Sequence, residues 1–534
     1  MEEREQIRQR SAQSQEERRL LKRGKRGVLT FVFGRSMLVL VMLAVQILLL
    51  ASLFNSLQST PYYYSALLLV EAVMITHLVN KSSEPYTKIT WIMLVVLTPP
   101  LGLALYLFVE TEMGHRMLNR RLSQVVAETE ALLPPRQPLP ERAMAAAPEL
   151  TGLETLTFAH GRFPVFEHTD VRYLSSGEAS LEAMLEDLRQ AKDFIFLEFF
   201  IIDEGYMWGR VLKVLEEKAA QGVEVRVLYD GTCALFRLPW RYPKMLEKLG
   251  IRCRMFSPIR PLISAHYNNR DHRKILVVDG RVAYTGGVNM ADEYVNRLER
   301  FGHWKAVSLR LEGEAVRGFT LMFLQMWSVS GEDESDFSRW LKASEDTGDA
   351  GAPGWVLPYG DSPLDGERVG ELVYSDILSR ADRYVHIMTP YLILDTEMAA
   401  ALVFAAKRGV DVRLILPGIP DKKYAFALAR THYAELLRAG VRLYEYTPGF
   451  VHAKVFVSDD IKAVVGTINL DYRSFYLHFE CAAYLRDVPA VADVEADFQD
   501  TLSKCREVCM EDVKTMKWTT RLAGWLLKVF APVM

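Results

Sequence analysis

The chain has 534 residues, half of them hydrophobic and a quarter charged, with a mean hydropathy of +0.02. That is enough apolar material for several cores, and it excludes a disordered tail, a collagen or a disulfide-stapled miniprotein. The 64 Lys and Arg against 67 Asp and Glu leave a formal charge of −3, which argues against a general electrostatic grip on nucleic acid while leaving room for a local basic groove. Five cysteines (Cys233, Cys253, Cys481, Cys505 and Cys509) lack any Cys-x-x-Cys spacing. Reduced thiols are therefore expected, with neither a disulfide framework nor a zinc site.

Residues 1–27 form a basic tail expected on the cytoplasmic side, with nine basic side chains between positions 4 and 26. A membrane region follows over 28–110, with apolar segments at about 36–54, 62–79 and 89–109. The first is long enough for a transmembrane helix, and no small-x-small cleavage site follows it. Three full crossings would export the rest of the chain, whereas Arg116, Arg120 and Arg121 favour the opposite side. Pro99, Pro100 and Gly102 offer a way out by breaking the third segment into two pieces that dip in and return, each about 15 Å long. A kinked but complete crossing is the alternative. Glu71 and His77 lie inside the second segment, where ionisable groups are costly; they read either as contacts to headgroups or a neighbouring helix, or as a neutral Glu and an interface-level His.

A linker is expected over 111–165, where the Pro- and Ala-rich run LPPRQPLPERAMAAAP shows no apolar periodicity. Beyond it the same pattern occurs twice, over 166–335 and 367–510, separated by a second linker at 336–366. AKDFIFLEFFII, GVEVRVLYD and HRKILVVDGRVAYTGGVN in the first copy correspond to ADRYVHIMTPYLI, GVDVRLILP and HAKVFVSDDIKAVVGTIN in the second. Short runs of Val, Ile and Leu alternating with amphipathic stretches predict two α/β units related by duplication. The final stretch, 511–534, predicts an amphipathic helix with Trp518, Leu522, Trp525, Leu526 and Val529 on one face. Lys517, Arg521 and Lys528 would reach lipid headgroups, or else the helix packs on the preceding unit.

Each repeat carries His-x-Lys-x-x-x-x-Asp, followed by Gly and Asn at fixed distances: His272, Lys274, Asp279, Gly286 and Asn289, then His452, Lys454, Asp459, Gly466 and Asn469. On a strand, positions i and i+2 share a face, so each His and Lys project together. Two lysines and two asparagines (Lys274, Asn289, Lys454 and Asn469) converging on one point would bind a phosphodiester and stabilise its pentacoordinate transition state without a metal or cofactor. One imidazole can attack phosphorus while the other donates a proton to the leaving alkoxide. Asp279 and Asp459 complete the candidate catalytic set, although they follow the strands and read more readily as structural.

These residues resemble the HKD motifs of the phospholipase D superfamily. The resemblance implies an α/β fold of two duplicated α/β/α sandwich halves sharing one active site, preceded here by transmembrane helices. It also implies a phosphohistidine intermediate, with His272 as nucleophile and His452 as acid and then base. Family members orient each histidine with a carboxylate on a later strand. Glu480 matches that position for His452, whereas Ala306 stands where the first half would have Asp, leaving Asp271, Asp292 or Glu293 as substitutes for His272. The stretches WIMLVVLTPPLGLALYLF, GGVNMADEY, PYGDSP and NLDYRSF look more narrowly like bacterial cardiolipin synthases. That resemblance implies a multi-pass bacterial membrane protein that transfers a phosphatidyl group from one phosphatidylglycerol to another, giving cardiolipin and glycerol. It involves no nucleic acid and leaves a homo-oligomer open. A membrane-bound phospholipase D releasing phosphatidic acid is the alternative. Arg270, Arg273 and Arg473, beside the motifs, read as holders of a non-reacting headgroup phosphate or as ordinary ion pairs.

Overall fold

A computed structural model describes residues 48, 52, 62–110, 113–130, 147–160, 162–259, 268–331, 337–342 and 352–531. The basic tail and nearly all of the first apolar segment lie outside the described residues.

In the first half the strands are β1 (Thr169–Leu174), β2 (Phe194–Phe199), β3 (Glu224–Asp230), β4 (Arg252–Phe256), β5 (Arg270–Asp271), β6 (Lys274–Val278), β7 (Val282–Gly286), β8 (His303–Lys305) and β9 (Ser308–Gly313). The second half contributes β10 (Trp355–Asp361), β11 (Tyr384–Met388), β12 (Leu392–Ile393), β13 (Asp411–Pro417), β14 (Arg442–Tyr446), β15 (Gly449–Val451), β16 (Val455–Ser458), β17 (Lys462–Gly466), β18 (Leu470–Asp471), β19 (His478–Arg486) and β20 (Cys505–Val508). The first sheet runs β1-β9-β7-β6-β2-β3-β4 and the second β10-β19-β17-β16-β11-β13-β14, closed by β20. Strand for strand the two orders coincide, so the duplication expected from the repeats is present in the topology.

Both sheets are parallel where helices connect consecutive strands (β2 to β3 to β4, β11 to β13 to β14) and antiparallel where hairpins do. The core strands β2, β6 and β7 are buried along their whole length, which is why they read as continuous apolar runs and not as alternations. One apolar core passes through both halves: Phe196, Ile275 and Val277 belong to the same cluster as Val385, Val455 and Ala483. Its centre is a helix, Val316–Val329, buried at every position, whose Phe323 stacks on Phe196 at 4.5 Å. Each such fully buried side chain contributes about 1.5–3 kcal/mol relative to exposure.

Both expected linkers contain structure. The stretch 111–165 holds helices Met113–Glu130 and Glu149–Ala159, and 336–366 holds helix Ser338–Lys342 and the edge strand β10. Pro358 hid β10 from a sequence reading, yet a proline is tolerated on an edge strand where no ladder N–H is required.

In the apolar region expected to meet the membrane, α1 (Tyr63–Asn80) is followed by α2 (Pro85–Leu97) and α3 (Pro99–Glu110). The third apolar segment is thus broken at Thr98, as its prolines predict, with φ −134° and ψ 65° there. The two pieces fold back closely: a Cβ on Gly102 would lie 2.2 Å from the Leu94 carbonyl oxygen. His77 of α1 meets the Tyr106 hydroxyl of α3 at 3.1 Å, a contact to a neighbouring helix. Among the described residues no helix is long and apolar enough to cross a membrane.

At the other end of the chain, α4 (Lys423–Ala439) carries α5 (Trp518–Phe530), and a Cβ on Gly524 would lie 2.7 Å from the Ala427 carbonyl oxygen. Packing occupies only one face of α5. Trp518, Leu522, Trp525, Leu526 and Phe530 are exposed, Trp518 by 72%. The Thr90 hydroxyl of α2 donates to the Val529 carbonyl, and Lys528 sits over the Tyr86 ring, so α2 and α5 touch at the same end of the molecule.

Candidate active site

The two motif strands β6 and β16 start at the seam between the halves and open onto a cleft of about 720 Å³. His272, Asn289, His452 and Asn469 line it, together with Phe200, Tyr294, Trp304 and Tyr391. A strand exchange sets the geometry. β5 pairs in parallel with β19 of the other half, placing Asp271 opposite Phe479, and the His272 N–H donates to the Phe479 carbonyl at 2.9 Å. In mirror fashion β15 pairs with β8, placing Val451 opposite Lys305, and the His452 N–H donates to the Lys305 carbonyl at 2.7 Å. Each histidine is therefore held against the opposite half.

This crossing corrects the assignment of Glu480. Its carboxylate lies beside His272, with both oxygens 2.9 Å from Nδ1, and not beside His452. The Ser474 hydroxyl donates to Glu480 at 2.7 Å and the Thr467 hydroxyl donates to its other oxygen. Burial works to raise the Glu480 pKa, but His272 and His478 override it and hold the carboxyl well below the usual range. An ionised Glu480 requires the proton on Nδ1 of His272, leaving Nε2 with its lone pair. Burial pushes the His272 pKa down to about 3, with Lys274 adding to that and Glu480 opposing it. The imidazole is therefore neutral, the form that can act as a nucleophile.

Strand register identifies the residue equivalent to Glu480 in the first half. Gly286 faces Ser308 across β7 and β9, and Gly466 faces Ala482 across β17 and β19. Two residues before these partners stand Ala306, just ahead of β9, and Glu480, within β19. The missing carboxylate is thus the one that would have faced His452, and Nδ1 of His452 meets instead the Gly287 carbonyl oxygen and Lys454 Nζ, each at 2.9 Å. Trp304 and Tyr294 pack around its ring at 5.6 and 5.2 Å between centroids. Burial and then the neighbouring Lys454 and Lys274 depress the His452 pKa well below its ordinary value.

None of the suggested substitutes serves His272. Asp271 is buried among Glu198 and Asp230, Asp292 accepts the N–H groups of Tyr206 and Met207, and Glu293 pairs with Arg237. Among the described residues His272 takes its carboxylate from the other half, and the sequence carries no signal of the strand exchange that supplies it.

The two lysines lie under the histidines, each 1% exposed. Lys274 Nζ donates to the His272 carbonyl and Lys454 Nζ to that of His452. Burial lowers both pKa values, that of Lys274 to about 8. Asn289 donates to the Tyr294 hydroxyl at 2.7 Å and accepts from Ile201 N–H, so it also shapes the cleft wall. Asn469 reaches Asp471 at 3.4 Å. Asp279 and Asp459 do not line the cleft. Each adopts a left-handed turn, at φ 53° and 57°, and accepts three successive backbone N–H groups: those of Lys192, Asp193 and Phe194, and those of Asp382, Arg383 and Tyr384. They anchor the starts of β2 and β11, which corrects their inclusion among the catalytic candidates.

Sequence reading missed His478. Its ring centroid is 5.2 Å from that of His272, and Nε2 receives a hydrogen bond from Arg473 at 3.2 Å. Donor atoms of His272, His478 and Glu480 lie within 4.8 Å of one another. The adjoining Arg473 and Lys274 make this a poor cation site, since two charges of the ion's own sign adjoin it. All five cysteines are free thiols.

Comparison with known proteins agrees with this arrangement. The family model for a cardiolipin synthase, PLD-like domain matches residues 184–300 and 374–502, one block on each motif, and the phospholipase D-nuclease N-terminal model matches 70–110. The chain is 49% identical to an uncharacterised protein of Streptococcus mutans, over 86% of this chain and 99% of that one. It is 32% identical to cardiolipin synthase 2 of Bacillus cereus, over 85% and 88% of the two chains, and 33% identical to the cardiolipin synthase of Geobacillus thermodenitrificans, over 88% and 94%. Among solved structures, the phosphatidylserine synthase of Haemophilus influenzae superposes with a TM-score of 0.53 over 72% of this chain and 98% of that one, at 16% identity, which supports the fold. With paired motifs meeting in one cleft and this similarity running through nearly the whole chain, the protein belongs to the bacterial cardiolipin synthases of the phospholipase D superfamily.

Proposed function

We propose that the protein is a phosphatidyltransferase that forms cardiolipin and glycerol from two phosphatidylglycerol molecules. The observation that carries the mechanism is the Glu480 contact to Nδ1 of His272, which leaves Nε2 as the nitrogen able to attack. In the first step Nε2 forms a bond to phosphorus, the phosphorus–oxygen bond to glycerol breaks, and His452 delivers the proton to the departing alkoxide. In the second step His452 takes the proton from the acceptor's hydroxyl, whose oxygen bonds to phosphorus as the phosphorus–nitrogen bond breaks. Lys274, Lys454 and the two asparagines neutralise the charge that builds on the equatorial oxygens. Entry of the phosphate anion also raises the His452 pKa, opposing the two lysines, so the acid becomes protonated when substrate is present.

A membrane setting fits the substrates and the apolar N-terminal helices. The short antiparallel pair α2 and α3 suits a segment that enters and leaves on one side, keeping the catalytic halves on the same face as the basic tail. The enzyme then works where acceptor lipid is concentrated and water scarce, which favours transfer over hydrolysis.

The test is incubation of the purified protein with phosphatidylglycerol vesicles, with products resolved by mass. Cardiolipin with stoichiometric glycerol is expected; phosphatidic acid as the main product would instead indicate a hydrolase. His272→Ala is expected to lose at least a thousandfold in rate, on the scale seen when a covalent nucleophile is removed, and full activity in that variant would overturn the mechanism.

A further inference from the structure

The three arginines beside the motifs are engaged within the protein. Arg270 lies 3.6 Å from Asp230 and donates to the Ser257 carbonyl, and Arg273 donates to the carbonyl oxygens of Glu480, Met322 and Asp361. Arg473 donates to His478 Nε2 and to the Asn268 side chain. A donor and an acceptor without partners lie instead on the cleft wall that carries His452. Asn469 Oδ1 and His478 Nδ1 also lack a hydrogen bond, but the first belongs to a motif residue assigned to the phosphate and the second faces Glu480 at 3.6 Å.

The acceptor is Asp421, in the turn between β13 and α4. Its Oδ2 accepts from the Tyr391 hydroxyl at 2.7 Å, and Lys422 Nζ stands 3.9 Å from it and donates to the same hydroxyl at 3.1 Å. The carboxylate is thus held in place, while its Oδ1 is buried and receives no hydrogen bond among the described residues. The other carboxylates of the cleft are taken up: Glu293 by Arg237 and Arg300, and Asp471 by the Ser474 N–H and the Asn469 side chain. The donor is the indole N–H of Trp304, a residue 7% exposed, whose Nε1 also has no partner. One ring ties the two together, since Phe450 lies 6.4 Å from Tyr391, 4.7 Å from Trp304 and 5.9 Å from His452 between centroids. The Tyr294 hydroxyl, whose oxygen accepts from Asn289, adds a second donor on this wall.

A hydroxyl both donates and accepts, so one placed here satisfies Asp421 Oδ1 and the indole donor together. An ammonium only donates, and an alkyl group does neither. Glycerol supplies such a hydroxyl in both steps: the departing alcohol and the attacking headgroup each carry one on the carbon next to that of the reacting oxygen. We propose that Asp421 Oδ1 and the Trp304 N–H bind this neighbouring hydroxyl and so select glycerol as the alcohol beside His452. This rests on the transfer reaction proposed above and extends it from the phosphate to the alcohol. A site built to bond a hydroxyl rejects the analogue that lacks it, because its own buried groups are then left unpaired.

The experiment uses the full-length protein on phosphatidylglycerol vesicles carrying a trace of phosphatidylglycerol, phosphatidylpropanol or phosphatidylethanolamine, each labelled in its alcohol. Unlabelled phosphatidylglycerol is the common acceptor, and release of the labelled alcohol reports the first step. Wild type is expected to release glycerol at least tenfold faster than propanol, about what a hydrogen bond to a charged acceptor gives, and faster than ethanolamine. In Asp421→Ala the glycerol-to-propanol ratio is expected to fall at least tenfold. Asp421→Asn, which keeps an acceptor oxygen without the charge and decides the matter if the alanine variant does not fold, is expected to lower it by less. Trp304→Phe, which keeps a ring against His452 without the N–H, is expected to lower it about fivefold. A wild-type ratio near one, or a ratio unchanged in the Asp421 variants whether or not all three releases slow together, overturns the proposal. Ethanolamine released faster than glycerol in the wild type, with that preference lost in Asp421→Ala, would assign the carboxylate to an ammonium and overturn it as well. A wild-type protein that releases no alcohol and forms no cardiolipin would instead refute the transferase reading itself.

Discussion

The residue that most distinguishes this site is one that lacks a functional group. Ala306 is fully buried next to the Lys305 carbonyl that receives the His452 N–H, in the place equivalent to Glu480. The two imidazoles, alike in sequence context, are therefore unlike in environment: His272 is held by an ionised carboxylate, and His452 by a backbone carbonyl between two lysines. That asymmetry favours His272 as the attacking group and leaves His452 dependent on the substrate's charge to hold its proton. A carboxylate introduced by Ala306→Asp would favour the imidazolium and raise the His452 pKa by about 1–2 units. Since the acid must be protonated, and loses its proton as pH rises, kcat in this variant is expected to persist to higher pH than in the wild type. Ala306→Asn, of similar size and without charge, should leave the pH profile in place. Coincident profiles for Ala306→Asp and Ala306→Asn would show that the proton on His452 does not govern turnover. The motif residues themselves were legible because side-chain alternation on a strand is a local rule. The partner of each histidine was not, because a contact across 208 positions of chain leaves no local pattern.

At the scale of elements, the strands and the duplicated topology followed from Val-, Ile- and Leu-rich runs recurring at matched spacing. Helices in the supposed linkers did not, since their composition suggested loops and their packing partners lie in distant parts of the chain. The amphipathic α5 shows how two readings of one helix coexist. Gly524 lets one face approach α4, while Trp518, Leu522, Trp525 and Leu526 remain outside, near the α2 contact and close to the cleft edge, where Tyr472 and Ala531 lie. An apolar face beside Arg521 and Lys528 is suited to an anionic lipid surface. Trp518→Glu combined with Trp525→Glu is expected to slow turnover of phosphatidylglycerol in vesicles by about a hundredfold, the lower end of what burying two large side chains is worth at about 1.5–3 kcal/mol each. Turnover of the same lipid dispersed in detergent micelles should change little. An equal loss in both assays would indicate that the helix supports the fold alone.

Considered as a whole, the described residues form two large sheets whose largest apolar core runs through both halves, with ion pairs across the seam. Asp497 shows the coupling: its carboxylate accepts from the Tyr173 hydroxyl at 2.7 Å and pairs with Lys305 at 2.6 Å, both first-half residues. Lys305 is on the strand that positions His452. Asp497→Ala leaves that buried ammonium without its carboxylate and is expected to cost about 3 kcal/mol, lowering the Tm by roughly 5 °C. Calorimetry on the purified protein measures this, and Asp497→Asn, which keeps one acceptor oxygen, should lose less. Equal stability of wild type and Asp497→Ala would mean the halves are joined by the apolar core alone.

The crossed strands also impose an order on when the enzyme can first act. His272 reaches its carboxylate only once Glu480, 208 residues further along the chain, has been made. At about 5–20 residues per second of synthesis, the first motif waits roughly 10–40 s for that partner. A growing chain thus carries a histidine without its carboxylate, and its nucleophile stays unoriented until β19 folds back across the seam.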